Sequence, residues 1–139
     1  MASAMPRPLT IVVVDDDPEM RRYIQRGLER AFAAASRVHQ AADGEEALRL
    51  VAEHAVDLVI TDVLLPRLDG LSLCHALDSA EATRTLPVLI VSGELEAVER
   101  ARALVHGRPH RAFLAKPFNA ASLRVAVEAL LDAADRGRA

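Results

Sequence analysis

Leu9-Thr10-Ile11-Val12-Val13-Val14-Asp15-Asp16-Asp17-Pro18 is the stretch that decides the fold. Its first half is almost continuously apolar and rich in valine, as expected of a parallel strand covered on both faces. Its second half stops that strand. Three carboxylates follow, and Asp17-Pro18 reads as a helix start with proline at the first helical position. Met20, Ile24, Leu28 and Ala31 then recur at helical spacing, to about residue 34. A buried strand, an acidic turn and an amphipathic helix make the first half of a βαβ unit.

The same alternation continues outward from this stretch. Residues 37–40 form a short, weakly apolar second strand. Asp43-Gly44-Glu45-Glu46 places an acid three residues after a capping aspartate, ahead of an amphipathic run through Ala47, Leu48, Val51 and Ala52. Residues 58–61 read as the third strand, 71–77 as the third helix, 87–91 as the fourth strand and 95–106 as the fourth helix. Residues 112–115 are the fifth strand. Asn119 caps a last helix that carries Leu123, Val127, Leu130 and Leu131. Strands alternating with helices predict an α/β fold, a doubly wound parallel sheet with helices on both faces. Right-handed crossovers leave only a few strand orders open. The expected organisation is a flexible N-terminus over 1–8, one domain over 9–135 and a short polar tail over 136–139.

Composition narrows the class of protein. At 139 residues the chain suffices for one sizeable core. Net charge is -3 and there is no basic block, which argues against nucleic acid as a direct partner. The apolar runs are of strand length, which argues against a membrane span. No signal-peptide pattern stands at the N-terminus, and Cys74 is the single cysteine, so a reducing cytoplasm is the expected location. Between Leu73 and Leu77, Cys74 reads as a small buried hydrophobe. His39, His54, His75, His106 and His110 are scattered without metal-ligand spacing and read as surface or helix-end residues.

In doubly wound sheets, ligands bind beyond the carboxyl ends of the strands, where strand order reverses. Asp15 and Asp16 end the first strand, Asp62 the third and Ser92 the fourth, and Lys116 follows the fifth. Lys116 is the sole lysine among 17 basic residues. Arginine is a planar fork and lysine a compact point charge, so the exception indicates a site that needs the point charge. Three carboxylates in one crevice repel and call for a cation. Oxygen ligands without His or Cys favour a hard ion such as Mg²⁺. A carboxylate can also take up a phosphoryl group as a nucleophile. Charge on the transferred group would then be met by Mg²⁺, by the Lys116 ammonium and by the Ser92 hydroxyl.

The motifs Val12-Val13-Val14-Asp15-Asp16-Asp17-Pro18, Asp62-Val63-Leu64-Leu65-Pro66 with Asp69-Gly70, Val91-Ser92 and Lys116-Pro117-Phe118 resemble those of the receiver domain of two-component response regulators. The resemblance runs from about residue 9 to residue 131. It implies a flavodoxin-like fold of five parallel strands in the order 2-1-3-4-5 with five helices. It implies that Asp62 accepts a phosphoryl group from a histidine kinase or histidine phosphotransfer protein. Asp15, Asp16, Asp62 and the backbone carbonyl of Leu64 would form the Mg²⁺ site, with Asp15 acting partly through water. Ser92 and Phe113 would be the switch pair, Lys116 the phosphate partner, and Lys116–Pro117 a cis peptide. Leu64 and Glu94 would tune the lifetime of the phosphorylated state. Catalysis would be confined to the chain's own phosphorylation and dephosphorylation. The output would be contact with a downstream protein partner, from a monomer or weak dimer.

Other readings of the same fold are a receiver-like interaction module that is never phosphorylated, a Mg²⁺-dependent phosphatase and a flavin carrier. A missing acid or lysine would favour the first, and none is missing. Tyr23 and the three phenylalanines are poor material for sandwiching a flavin. The chain departs from the receiver pattern between Ser92 and Lys116, which is slightly longer than usual. The excess falls in Arg108-Pro109-His110-Arg111, basic where a short acidic turn is usual. A stiffened, positively charged edge beside the partner face is the expectation there.

Overall fold

The computed structural model describes residues 8–32, 36–93 and 95–137. Its elements are β1 (Leu9–Val14), α1 (Pro18–Phe32), β2 (Ser36–Ala41), α2 (Gly44–Glu53), β3 (Leu58–Asp62), α3 (Gly70–Asp78), β4 (Val88–Ser92), α4 (Leu95–Val105), β5 (Arg111–Ala115) and α5 (Ala120–Gly137). The strands form one parallel sheet in the order β2-β1-β3-β4-β5. The doubly wound fold expected from the alternation is the one observed.

Local chemistry sets the helix starts. The Asp17 carboxylate accepts from the Glu19 amide at 2.9 Å, and Pro18 opens α1. Asp43 accepts from the Glu46 amide at 2.8 Å, while the Glu46 carboxylate reaches back to the Ala42 amide at 2.8 Å. Asp69 and Asn119 do the same for α3 and α5, each accepting from an amide three residues on at 2.8 Å. Each such cap satisfies an N–H that the helix cannot, and its loss costs about 1 kcal/mol.

Strand alternation divides the core into two layers. Val12, Val14, Val59, Val88 and Ile90 face α2, α3 and α4, packing on Leu73, Cys74 and Leu77. Ile11, Val13, Ile60, Leu89 and Val91 face α1 and α5, packing on Ile24, Leu28, Leu123 and Val127. Burial of each such aliphatic side chain contributes about 1.5–3 kcal/mol, which makes the sheet the rigid part of the molecule. Val14 pairs with Thr61, Asp62 with Val91, and Ser92 with Ala115. The strands therefore run out along one edge, which carries the acids, the hydroxyl and the lysine. The switch-pair position Phe113 lies in the middle of β5, half-buried against the layer that holds α3 and α4.

The 108–111 segment departs from its expected character. Strand β5 begins at Arg111, inside the stretch read as a loop. The Arg111 side chain is 1% exposed. Its guanidinium is bonded to the Asp78 carboxylate, to Leu86 O at 2.8 Å and to His110 O at 3.0 Å. Arg108 reaches the other Asp78 oxygen at 2.8 Å. Asp78, at the end of α3, thus neutralises much of the charge expected to face a partner. Spacing alone did not reveal this carboxylate, because 33 residues separate it from Arg111.

Candidate phosphoacceptor site

At the carboxyl edge, Lys116 Nζ donates to Asp62 Oδ2 at 2.8 Å and to Asp15 Oδ2 at 3.2 Å. The other Asp62 oxygen accepts from the Val63 amide at 2.6 Å and the Leu64 amide at 3.3 Å. Asp15 Oδ1 accepts from the Asp17 amide at 2.9 Å. Asp15 is buried, and Asp62 and Lys116 are only partly open, with side chains 13% and 20% exposed. Asp16, which follows Asp15 in the chain, is exposed.

Neighbouring backbone holds these groups in place. Asp15 follows a strand bonded on both sides, and its own amide donates to Ala41 O at 3.1 Å. Lys116 N donates to Ser92 O at 3.0 Å, which joins the ends of β4 and β5. Ser92 is fully buried at the end of β4. The Lys116–Pro117 peptide is cis. The following turn is tied to α1, where the Tyr23 hydroxyl donates to Phe118 O and the two rings lie 5.8 Å apart. No local pattern marks Tyr23 for this role; only the pairing of α1 with the β5–α5 turn reveals it.

Electrostatics follow from depth. Burial pushes the Asp15 carboxyl above its ordinary value, against the Asp17 amide and the Lys116 charge. Burial alone would lower Lys116. The hydrogen bond and charge of Asp62, with Asp15 behind them, outweigh it and raise the ammonium above its ordinary value. The asymmetry is physical: Asp15 is deeper, and Lys116 faces two carboxylates.

Two carboxylates, those of Asp15 and Asp62, face a single ammonium, a surplus of negative charge in a crevice of oxygen donors. Among the described residues, no three His, Cys, Asp or Glu side chains form a metal-binding cluster by themselves. A cation held here would take few ligands from the chain and keep water. That is the habit of Mg²⁺, and the donor set fits it. Leu64 is 48% exposed on the loop after β3. Glu94 lies outside the described residues.

Beyond the site, His39 and His54 stack with ring centroids 4.1 Å apart, a pairing the scattered spacing concealed. Cys74 is buried and unbridged, and burial pushes its thiol up to about 11. Among the described residues no helix is long and apolar enough to cross a membrane.

Residues 11–128 match the family model described as response regulator receiver domain. The chain is similar to response regulator MprA of Mycobacterium sp. (strain KMS), at 40% identity over 89% of this chain and 51% of that protein. It is similar to the DNA-binding dual master transcriptional regulator RpaA of Synechocystis sp., at 32% identity over 95% of this chain and 52% of that one. The crystal structure of the receiver domain of NtrX from Brucella abortus superposes with a TM-score of 0.75 at 31% identity, covering 88% of this chain and 98% of that one. The chain spans about half the length of these curated relatives.

Proposed function

The chain belongs to the response regulator receiver domain family, the receivers of two-component signal transduction, and on that premise we propose that it takes a phosphoryl group onto Asp62 and signals through a protein-interaction face. The observation that carries this reading is the placement of Lys116 Nζ between the Asp62 and Asp15 carboxylates, at 2.8 and 3.2 Å. The proposed unit runs over 9–135, and the family match lies inside it.

In the proposed reaction an Asp62 carboxylate oxygen attacks the phosphorus of a phosphohistidine on a histidine kinase or histidine phosphotransfer protein. The O–P bond forms as the N–P bond breaks, and the imidazole leaves with the electron pair. Lys116 holds the carboxylate and neutralises charge on the incoming oxygens. The Val63 and Leu64 amides fix the carboxylate's orientation. Mg²⁺, held by Asp15, Asp16, Asp62 and the Leu64 carbonyl, would supply further charge neutralisation. Ser92 and Phe113 would carry the phosphorylation state to the α4–β5 side, with Ser92 donating to the phosphoryl group. Phe lacks a ring hydroxyl, so packing against the α3–α4 layer would govern its swing.

The proposed output is a downstream protein partner rather than nucleic acid, from a monomer or weak dimer in the cytoplasm. The chain's catalysis would be limited to its own phosphorylation and dephosphorylation. Incubation with Mg²⁺ and a small phosphodonor, followed by intact-mass measurement, tests the reading. One phosphoryl group is expected on the parent and none on Asp62→Asn. An unmodified parent overturns it.

A further inference from the structure

The loop between Asp62 and Gly70 contains an arginine in an uncomfortable place. Arg67 has φ 61°, in the left-handed region that strains a non-glycine residue. Its guanidinium donates to Asp43 Oδ2 at 2.6 Å. Asp43 is the N-cap of α2 and spends its other oxygen on the Glu46 amide. The Arg67 side chain is 65% exposed, whereas the Asp43 side chain it meets is only 10% exposed, so the pair stands at the edge of the packed interior. A strained non-glycine residue in the loop that follows Asp62, tied by its side chain to a neighbouring helix, points to function.

The surroundings show what the pair joins. Gly44 N donates to Leu68 O at 3.0 Å, and a Cβ on Gly44 would come within 2.2 Å of that oxygen. The loop therefore lies directly on the first turn of α2. At its start, Val63 and Leu64 grip the Asp62 carboxylate through their amides. At its end, Gly70 N donates to Val63 O at 2.9 Å. Arg67 and Leu68 reach across to α2, where Arg67 also lies 4.0 Å from the Glu45 carboxylate.

We propose that Arg67 is a positioning residue for the phosphoacceptor: its ion pair with Asp43 latches the 63–68 loop onto α2 and so holds the amides that orient Asp62. The proposal rests on the phosphorylation reading given above. Released, the loop moves away from Asp62, and water reaches the phosphorylated carboxylate more often.

Two variants break the latch with opposite side effects. Arg67→Gly removes the guanidinium and relieves the backbone strain. Asp43→Asn removes the charge and keeps an effective helix cap. Phosphate loss after donor removal is expected to quicken roughly threefold or more in both, and Arg67→Lys is expected to stay near the parent. Amide exchange at Gly44, read without phosphate, is expected to quicken roughly tenfold in both. A purely structural role would make phosphate loss follow melting temperature, with Arg67→Gly no faster than the parent. That result, or parental lifetimes in both variants, overturns the proposal and leaves Asp62 as the acceptor. A parent that takes up no phosphate overturns the receiver reading itself, and the positioning role with it.

Discussion

Lys116 Nζ lies 2.8 Å from Asp62 Oδ2, although 54 residues separate them along the chain. The ends of β3 and β5, two strands apart in the sheet, create that contact. It makes the chain's sole lysine the partner of the proposed acceptor, and most of what can be tested follows from it.

Asp62→Asn keeps the shape of the side chain and removes the nucleophile. Its phosphate uptake from a small donor with Mg²⁺ is expected to vanish. A base-labile phosphate on the variant, with the parent's Mg²⁺ dependence, would place the acceptor elsewhere.

Lys116→Arg keeps the charge but sets a wider planar group between two carboxylates. Mg²⁺ binding is expected to survive, because Lys116 is not a proposed ligand. Phosphorylation rate, or its transmission to Ser92 and Phe113, is expected to fall by at least roughly tenfold, about 1.4 kcal/mol. A variant that phosphorylates and signals like the parent would leave the lone lysine without a role.

Asp15 gives a pH and stability test. Burial raises its carboxyl above the ordinary value of 3.8, so the folded chain binds this proton more tightly than the unfolded one. That contribution is fully present below 3.8 and is lost as pH rises through the folded value. At neutral pH the ionised group works against folding. Asp15→Asn is therefore expected to melt higher than the parent at neutral pH without divalent cation, and the gain should narrow on acidification. Added Mg²⁺ should raise the parent's melting temperature more than the variant's. A lower-melting variant would show that the Lys116 contact outweighs the burial cost.

Leu64 follows Asp62 by two residues and is 48% exposed. An apolar side chain cannot orient an attacking water, so self-dephosphorylation is expected to be slow. Leu64→Asn should speed it roughly tenfold. A parental half-life of seconds, or a variant no faster than the parent, would remove Leu64 from this role and leave the Asp62 assignment standing.

Arg111 and Arg108 share Asp78 but differ in depth, with side chains 1% and 42% exposed. Removing a buried ion-pair partner costs about 3–5 kcal/mol, and removing an exposed one about 0–1 kcal/mol. Arg111→Ala is expected to destabilise strongly in chemical denaturation and Arg108→Ser barely at all. Equal effects would contradict the burial of Arg111. Arg108→Ser is also expected to alter partner binding little, because Asp78 already balances much of this corner's charge.

Much of the candidate site was legible because parallel sheets obey a simple rule. An apolar run marks a buried strand, and a polar residue at its carboxyl end lies in the crevice. Asp15, Asp62, Ser92 and Lys116 can be placed that way from the order of residues. The caps at Asp43 and Asn119 were equally readable, since a cap and its amide lie within three residues of each other. Where partners are distant in sequence and lack a periodic signature, no pattern could reveal them. The Asp78 clasp on Arg111, the Tyr23 tie to Phe118 and the Arg67–Asp43 latch belong to this group. Arg111 shows the difference most clearly: its composition suggested a solvated positive edge, and packing buried it.

Strand and helix periods and helix capping are local properties, so the order of residues suffices for the alternating architecture, the carboxyl-edge acids and the exceptional lysine. Which charges are paired, how deep each lies and which backbone amides hold Asp62 emerge only on folding. Those depend on how distant segments pack, and burial sets both the cost of a charge and the partner it must find.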